Sequence, residues 1–167
     1  MTIRAAGPLL VGSLLLALLP AGSLEAQQAT RYQQVISANP FGLLLEFFNA
    51  EYERVVSETT TAGVGGSYFT TEGDDYLNAD VFWRYYPQGR PLDGWAFGAK
   101  AGLTRVESSS FAGFGFDVNR SWLLGANDNF YVGVGFGLKR LVGVSGDADF
   151  DLRFIPTIRI VNVGFAF

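Results

Sequence analysis

The 167-residue chain contains no cysteine and no histidine. The first absence excludes disulfides, thiolate metal sites, a cysteine nucleophile and acylation at a cysteine. The second removes the commonest metal ligand and every Ser-His or Cys-His catalytic pair. Charge is sparse at 17% of residues, and the net of −4 is accompanied by scattered basic residues, which gives no nucleic-acid footprint. No apolar run reaches the roughly 20 positions that a membrane helix needs, and no stretch sustains a 3.6-residue period. In their place stand 21 glycines and 15 phenylalanines, with seven tyrosines and three tryptophans. Glycine and aromatics together, without cysteine, fit a β-rich protein.

The N-terminus reads as an export signal. "MTIR" supplies a positive charge, "PLLVGSLLLALLP" a short apolar core and "AGSLEAQQ" small residues for cleavage. The expected cut falls near Ser23 or Ala26, leaving a signal peptide over 1–26 and one barrel domain over 27–167. Downstream, alternation over about ten residues recurs between turn-forming clusters. In "YLNADVFWRYY" Leu77, Ala79, Val81, Trp83 and Tyr85 share one face, while Asn78, Asp80, Phe82, Arg84 and Tyr86 share the other. "WAFGAKAGLT", "GFGFDVNRSW" and "FYVGVGFGLK" repeat the pattern over 95–104, 113–122 and 130–139. "TTTAGVGGSYF" over 59–69 fits less regularly, and the last strand needs a one-residue bulge at Ile160–Val161. The stretch "NPFGLLLEFFNAEYERVV" is too long for one strand and predicts two, with the turn at Asn39-Pro40 or around Phe48-Asn49. Proline and asparagine chemistry favours the first. The total is eight strands.

The two faces differ in kind. One is Leu, Val, Ala, Phe and Trp with almost no charge; in water it would be a continuous sticky surface. The other carries Gly63, Gly65, Gly98, Gly102, Gly113, Gly115, Gly133, Gly135, Gly137 and Gly164 with a few ions. Glycine within a strand costs roughly 0.5–1 kcal/mol relative to alanine, so this concentration needs a cause, and the narrow lumen of an eight-stranded barrel supplies one. The expected fold is therefore all-β, a closed antiparallel eight-stranded transmembrane β-barrel. Its lumen is expected to be plugged by a polar network of Asp80, Arg84, Lys100, Asp117, Lys139 and Arg159, with Glu46, Glu51 or Glu53 as balancing acids. The competing fold is a soluble sandwich or lipocalin-like ligand-binding barrel, in which Phe97, Phe116, Val134 and Phe136 would gather inside.

Aromatic residues cluster toward the turns "PQGRPLD" and "GANDN": Tyr85, Tyr86 and Trp95 at the first, Trp122, Phe130 and Tyr131 at the second. This arrangement predicts an interfacial girdle, with Tyr85, Trp95 and Trp122 as its interface aromatics. Tyr68, Phe69, Tyr76, Phe111 and Phe154 fall at the opposite end. The closing "RIVNVGFAF", with Val163, Phe165 and Phe167 alternating, resembles the C-terminal signature of bacterial outer-membrane β-barrel proteins. Size and strand count are similar to the OmpA/OmpX-type small barrels. "ANPFGLLLEFFNAEYERVV" and "IPTIRIVNVGFAF" resemble a family of uncharacterised outer-membrane barrels. The resemblance implies an outer-membrane location and both chain ends on the periplasmic side. It implies recognition of Val163, Phe165 and Phe167 by the barrel assembly machinery. Membrane lipids and lipopolysaccharide are the implied surroundings of a monomer with no nucleic-acid partner.

Chemistry is harder to place on this chain. Some eight-stranded outer-membrane barrels modify lipid A, but those depend on a histidine. Ser108, Ser109, Ser110 and Ser121 lack an evident activating base. Glu51 and Glu53, at spacing two, share a strand face and are the acid pair that a hydrolase would use; Asp74 and Asp75 are adjacent and cannot share one. Asp147, Asp149 and Asp151 mimic the opening of a calcium loop, but Leu152 and Ile158 occupy the positions that need Gly and Glu. The GxG runs at 113–115 and 133–137 lie within strands and open no helix, so they do not point to a nucleotide. The expectation is a non-enzymatic envelope barrel with no cofactor and no metal; a lipid A-modifying or other membrane-embedded hydrolase is the rival.

Overall fold

A computed structural model describes residues 32–41, 47–71, 74–106, 109–145 and 153–167. The segment 1–26 expected to be a signal peptide, Glu46, Ser108 and the aspartates Asp147, Asp149 and Asp151 lie outside the described residues. The strands are β1 Gln34–Ala38, β2 Phe47–Ser57, β3 Thr60–Thr71, β4 Asp74–Tyr85, β5 Gly94–Val106, β6 Ser109–Leu124, β7 Phe130–Ser145 and β8 Arg153–Ala166. Each pairs antiparallel with its sequence neighbour, and β1 closes on β8, giving a closed eight-stranded barrel. Closure leaves no sheet edge, so the strand backbone satisfies its own hydrogen bonds.

Closure is tied at the chain end. Phe167 O accepts from Gln33 N (3.1 Å) and Gln34 N (2.9 Å), and Phe167 N donates to Gln34 O (2.9 Å). The turns at Glu58–Thr59, 86–93 and 125–129 lie at this same end of the barrel, here the near end. At the far end β1, β3, β5 and β7 finish and β2, β4, β6 and β8 begin.

The first hairpin turns at Asn39-Pro40, whereas Phe48 and Asn49 lie inside β2. Asn39 N donates to Asn49 O (2.9 Å), and Phe41 N donates to Asn39 Oδ1 (2.8 Å), an Asx turn of the kind asparagine favours. On β8, Gly133 pairs with Asn162 and Gly135 with Arg159, so one β7 residue faces two on β8. The expected bulge at Ile160–Val161 is therefore present. It lets Arg159 and Asn162, three residues apart, both point inward.

The two faces of the barrel separate by chemistry. Phe97, Phe116 and Phe136 point outward with 52%, 71% and 55% of their surface exposed. Glu53, Arg84, Lys139 and Asn162 are buried inside. Glycines on the inner face make room for these ions: a Cβ on Gly98 would run into the Asp117 carboxylate, and one on Gly102 into the backbone of Ala79.

Two groups of aromatic residues are corrected. Tyr86 and Tyr131, grouped with the girdle by their position beside turns, are buried inside the lumen. Their alternation partners, Arg84 and the inward glycines, already indicate that side. At the far end Phe111 is buried, and Phe69 stacks on Tyr76 with ring centroids 4.3 Å apart, both on the inner face. A third departure is Leu92. This residue of the 86–93 turn is fully buried and packs with Val35, Tyr131 and Ala166 to close the near end. It adopts φ 68°, a left-handed turn conformation that is costly for leucine.

Candidate functional site in the barrel lumen

Six lumen residues predicted from sequence all face inward, and two acids from β2 join them. Alternation on β2 and β4 puts Glu51, Glu53 and Arg84 on the same face of neighbouring parts of the wall. Arg84 Nη1 donates to Glu53 Oε2 (2.5 Å), and its Nη2 donates to Glu51 Oε2 (3.1 Å). The guanidinium lies 4.0 Å above the Phe82 ring, and its Nε is 4.0 Å from Asp117 Oδ1. Glu53 also accepts from Thr61 Oγ1 (2.5 Å) and Tyr86 Oη (2.8 Å). Arg159 Nη2 reaches Glu51 Oε2 at 2.9 Å, and its Nη1 donates to Tyr131 Oη (3.1 Å). Two arginines and two glutamates thus form one connected cluster at the near end, capped by two tyrosines.

A second set lies further along the lumen. Lys100 Nζ is 3.2 Å from Asp117 Oδ2 and donates to Thr157 Oγ1 (2.7 Å). Lys139 Nζ contacts Asp80 Oδ1 (2.5 Å), Asn78 Oδ1 (2.6 Å) and Thr104 Oγ1 (3.2 Å), which satisfies the three donors of an ammonium. Among the described inward positions the acids are Glu51, Glu53, Asp80 and Asp117 and the bases Arg84, Lys100, Lys139 and Arg159. The four acids and four bases cancel. Neutrality fits a site where each uncompensated charge would cost several kcal/mol.

Between these ions lies a half-open polar cavity of about 130 Å³, bordered by Glu51, Arg84 and Arg159 of the first cluster and by Asn78, Asp80, Lys100 and Asp117 of the second, with Phe47, Phe69 and Tyr76 on its rim. Its volume is sufficient for a few waters. The chemistry available in the lumen is ionic and hydrogen-bonding. Glu51 and Glu53 do share a face, but both carboxylates are committed to Arg84. Asp75 faces outward and accepts from Tyr68 Oη (3.0 Å) and Thr70 Oγ1 (2.9 Å). Ser121 is buried, with its Oγ 3.5 Å from Gly94 O. Among the described residues no group of three acidic side chains is arranged to hold a metal.

The remaining predicted positions lie on the outer face. Tyr85 and Trp95 are exposed, and Trp122 is half-exposed. Arg120 stands between the two tryptophans, 5.9 Å from the Trp95 ring and 5.2 Å from that of Trp122. Phe165 and Phe167 are exposed, Val163 less so, and Phe165 meets Phe130 edge-on at 6.2 Å. Sequence reasoning missed Tyr86 and Tyr131 as lumen groups, although their face signalled it, and Leu92, which no periodicity could signal. Comparison with known protein families, curated proteins and solved structures finds no match to this chain.

Proposed function

We propose that this protein is a monomeric bacterial outer-membrane barrel with a structural role in the cell envelope, and that its lumen is a plug rather than a channel. The observation that carries this reading is the placement of charge on the outer face. On β4, β5 and β7 the outward positions between Tyr85 and Asp75, Trp95 and Arg105, and Phe130 and Arg140 carry no charge. Each interval is ten residues long. At about 3.3 Å per residue and a tilt near 40°, that gives a band roughly 25 Å tall, the height of the apolar belt of outer-membrane barrels. Aromatic residues border the band at the near end, where Tyr85, Trp95 and Trp122 sit, as amphipathic rings do at a membrane interface.

The lumen network supports the plugged reading, because Arg84 and Arg159 bridge the glutamates within the lumen. Val163, Phe165 and Phe167 on the closing strand fit a signal for the barrel assembly machinery. Lipids and lipopolysaccharide are the proposed surroundings.

Refolding into detergent micelles, followed by electrophoresis with and without boiling, tests the membrane reading. The expected result is a folded species with heat-modifiable mobility. A water-soluble folded monomer with no such shift would refute it. Planar-bilayer recording tests the plug: small or absent steady conductance is expected, and a large one would show an open lumen.

A further inference from the structure

Arg120 points outward at the near end, directly across the ladder from Trp95. It is half-buried, and its guanidinium lies between two indoles, 5.9 Å from Trp95 and 5.2 Å from Trp122. Among the described residues it forms no ion pair, whereas Arg84 and Arg159 each meet a glutamate. Beside it the wall has a notch at Gly94, whose φ of 145° favours a residue without a side chain. A Cβ placed there would lie 3.5 Å from Arg120 Nη1 and 3.1 Å from Gln88 Oε1. A cation and a neutral acceptor thus border one small space. An arginine at the edge of an apolar band keeps its stem in hydrocarbon, while its fork favours an anion.

We infer that Arg120, Gln88 and the two indoles hold the head group of a phosphatidylethanolamine in the near-end leaflet. The inference rests on the membrane-spanning reading above and deepens it by naming one lipid and its site. With both chain ends periplasmic, the near end lies in the phospholipid leaflet rather than the lipopolysaccharide one. Trp95 marks the near-end border of the uncharged band, so the guanidinium opposite it stands at head-group depth. Charge complementarity selects the occupant. The guanidinium can donate two parallel N–H bonds to phosphate oxygens. Gln88 Oε1, beside that cation, can accept from a primary ammonium carried two carbons from the phosphate. The trimethylated ammonium of a choline head has no N–H to give. The notch at Gly94 lies between the two partners, where the two-carbon bridge of the head would run.

The test is native mass spectrometry of the refolded full chain in detergent. Three probes with identical chains are supplied at equal concentration: phosphatidylethanolamine, phosphatidylcholine and diacylglycerol, which carries no phosphate. The wild type is expected to retain phosphatidylethanolamine about tenfold over diacylglycerol, through the charge-assisted bonds to Arg120. It should retain it about threefold over phosphatidylcholine, through the bond to Gln88. R120Q should remove the preference over diacylglycerol, and Q88A only the preference over phosphatidylcholine. R54Q, which removes another outward arginine at the near end, should keep both. If R120Q does not refold, R120K serves instead, and a reduced preference over diacylglycerol is expected. Retention of phosphatidylethanolamine equal to that of either other lipid by the wild type overturns the site. So does a preference over diacylglycerol unchanged in the Arg120 variant. A dimer peak lost in R120Q would mean that an acid of a second copy meets the arginine, and would overturn it as well. Heat-modifiable mobility of the same samples separates the two readings. If the shift persists without a lipid preference, only the lipid site falls; if no sample shows the shift, both fall.

Discussion

The near and far halves of the lumen solve the same problem with different residues. At the near end, arginines bind glutamates through planar forks, tyrosines cap the carboxylates, and Leu92 folds in from a turn to close the floor. Further along, lysines pair with aspartates beside a half-open cavity. Arginine carries five donors in a rigid fork and is more weakly hydrated, so it suits a cluster where geometry is fixed. Lysine is a compact, strongly hydrated charge and tolerates a neighbouring water-sized space. On the plugged reading proposed above the near half is the seal, although Glu51, Arg84 and Arg159 border the same cavity as Asp80, Lys100 and Asp117.

Substitution at the centre of the seal should have the largest effect. Arg84→Met leaves Glu51 and Glu53 short of their shared cation and should cost about 3–5 kcal/mol, read as a lowered urea midpoint in lipid vesicles. Lys139→Met strands only Asp80, which keeps a hydrogen bond from Asn78 Nδ2 (2.8 Å) and borders the cavity. About 2 kcal/mol is expected there. Equal losses for the two variants would erase the distinction between the halves.

Glycine substitutions separate filled positions of the lumen from open ones. Gly98→Ala forces a methyl into the Asp117 carboxylate and should destabilise by about 2 kcal/mol. Gly65→Ala borders the cavity, where the nearest atom is Glu51 Cγ at 3.2 Å, and should shift stability by less than about 0.5 kcal/mol, helped by alanine's lower chain entropy. Tyr86→Phe removes one donor to Glu53 and should cost about 1 kcal/mol, well below the arginine's effect. A Tyr86→Phe loss as large as that of Arg84→Met would mean that the tyrosine cap, not the arginine, holds the seal.

Much of the barrel was legible because strand alternation is a local signal. Asp80, Arg84, Lys100, Asp117, Lys139 and Arg159 fell on the glycine-bearing face in sequence, and they meet in the lumen. The bulge at Ile160–Val161 was equally readable, since a skipped residue breaks the period. Strand ends were not. β6 begins at Ser109 and β7 runs to Ser145, well beyond the predicted 113–122 and 130–139. Pairing there continues through Ser and Gly positions, where hydrophobic alternation has faded.

Composition and period alone determined the strand count, the antiparallel hairpins and which side chains share a face, because each follows from residues a few positions apart. Which acid meets which base was decided only by closure. Glu51 and Arg84 are 33 residues apart, and Lys100 and Thr157 are 57 apart. Their contacts depend on how eight strands are staggered around a common axis. The burial of Leu92 has the same origin: a turn residue has no face of its own until the barrel's open end offers one.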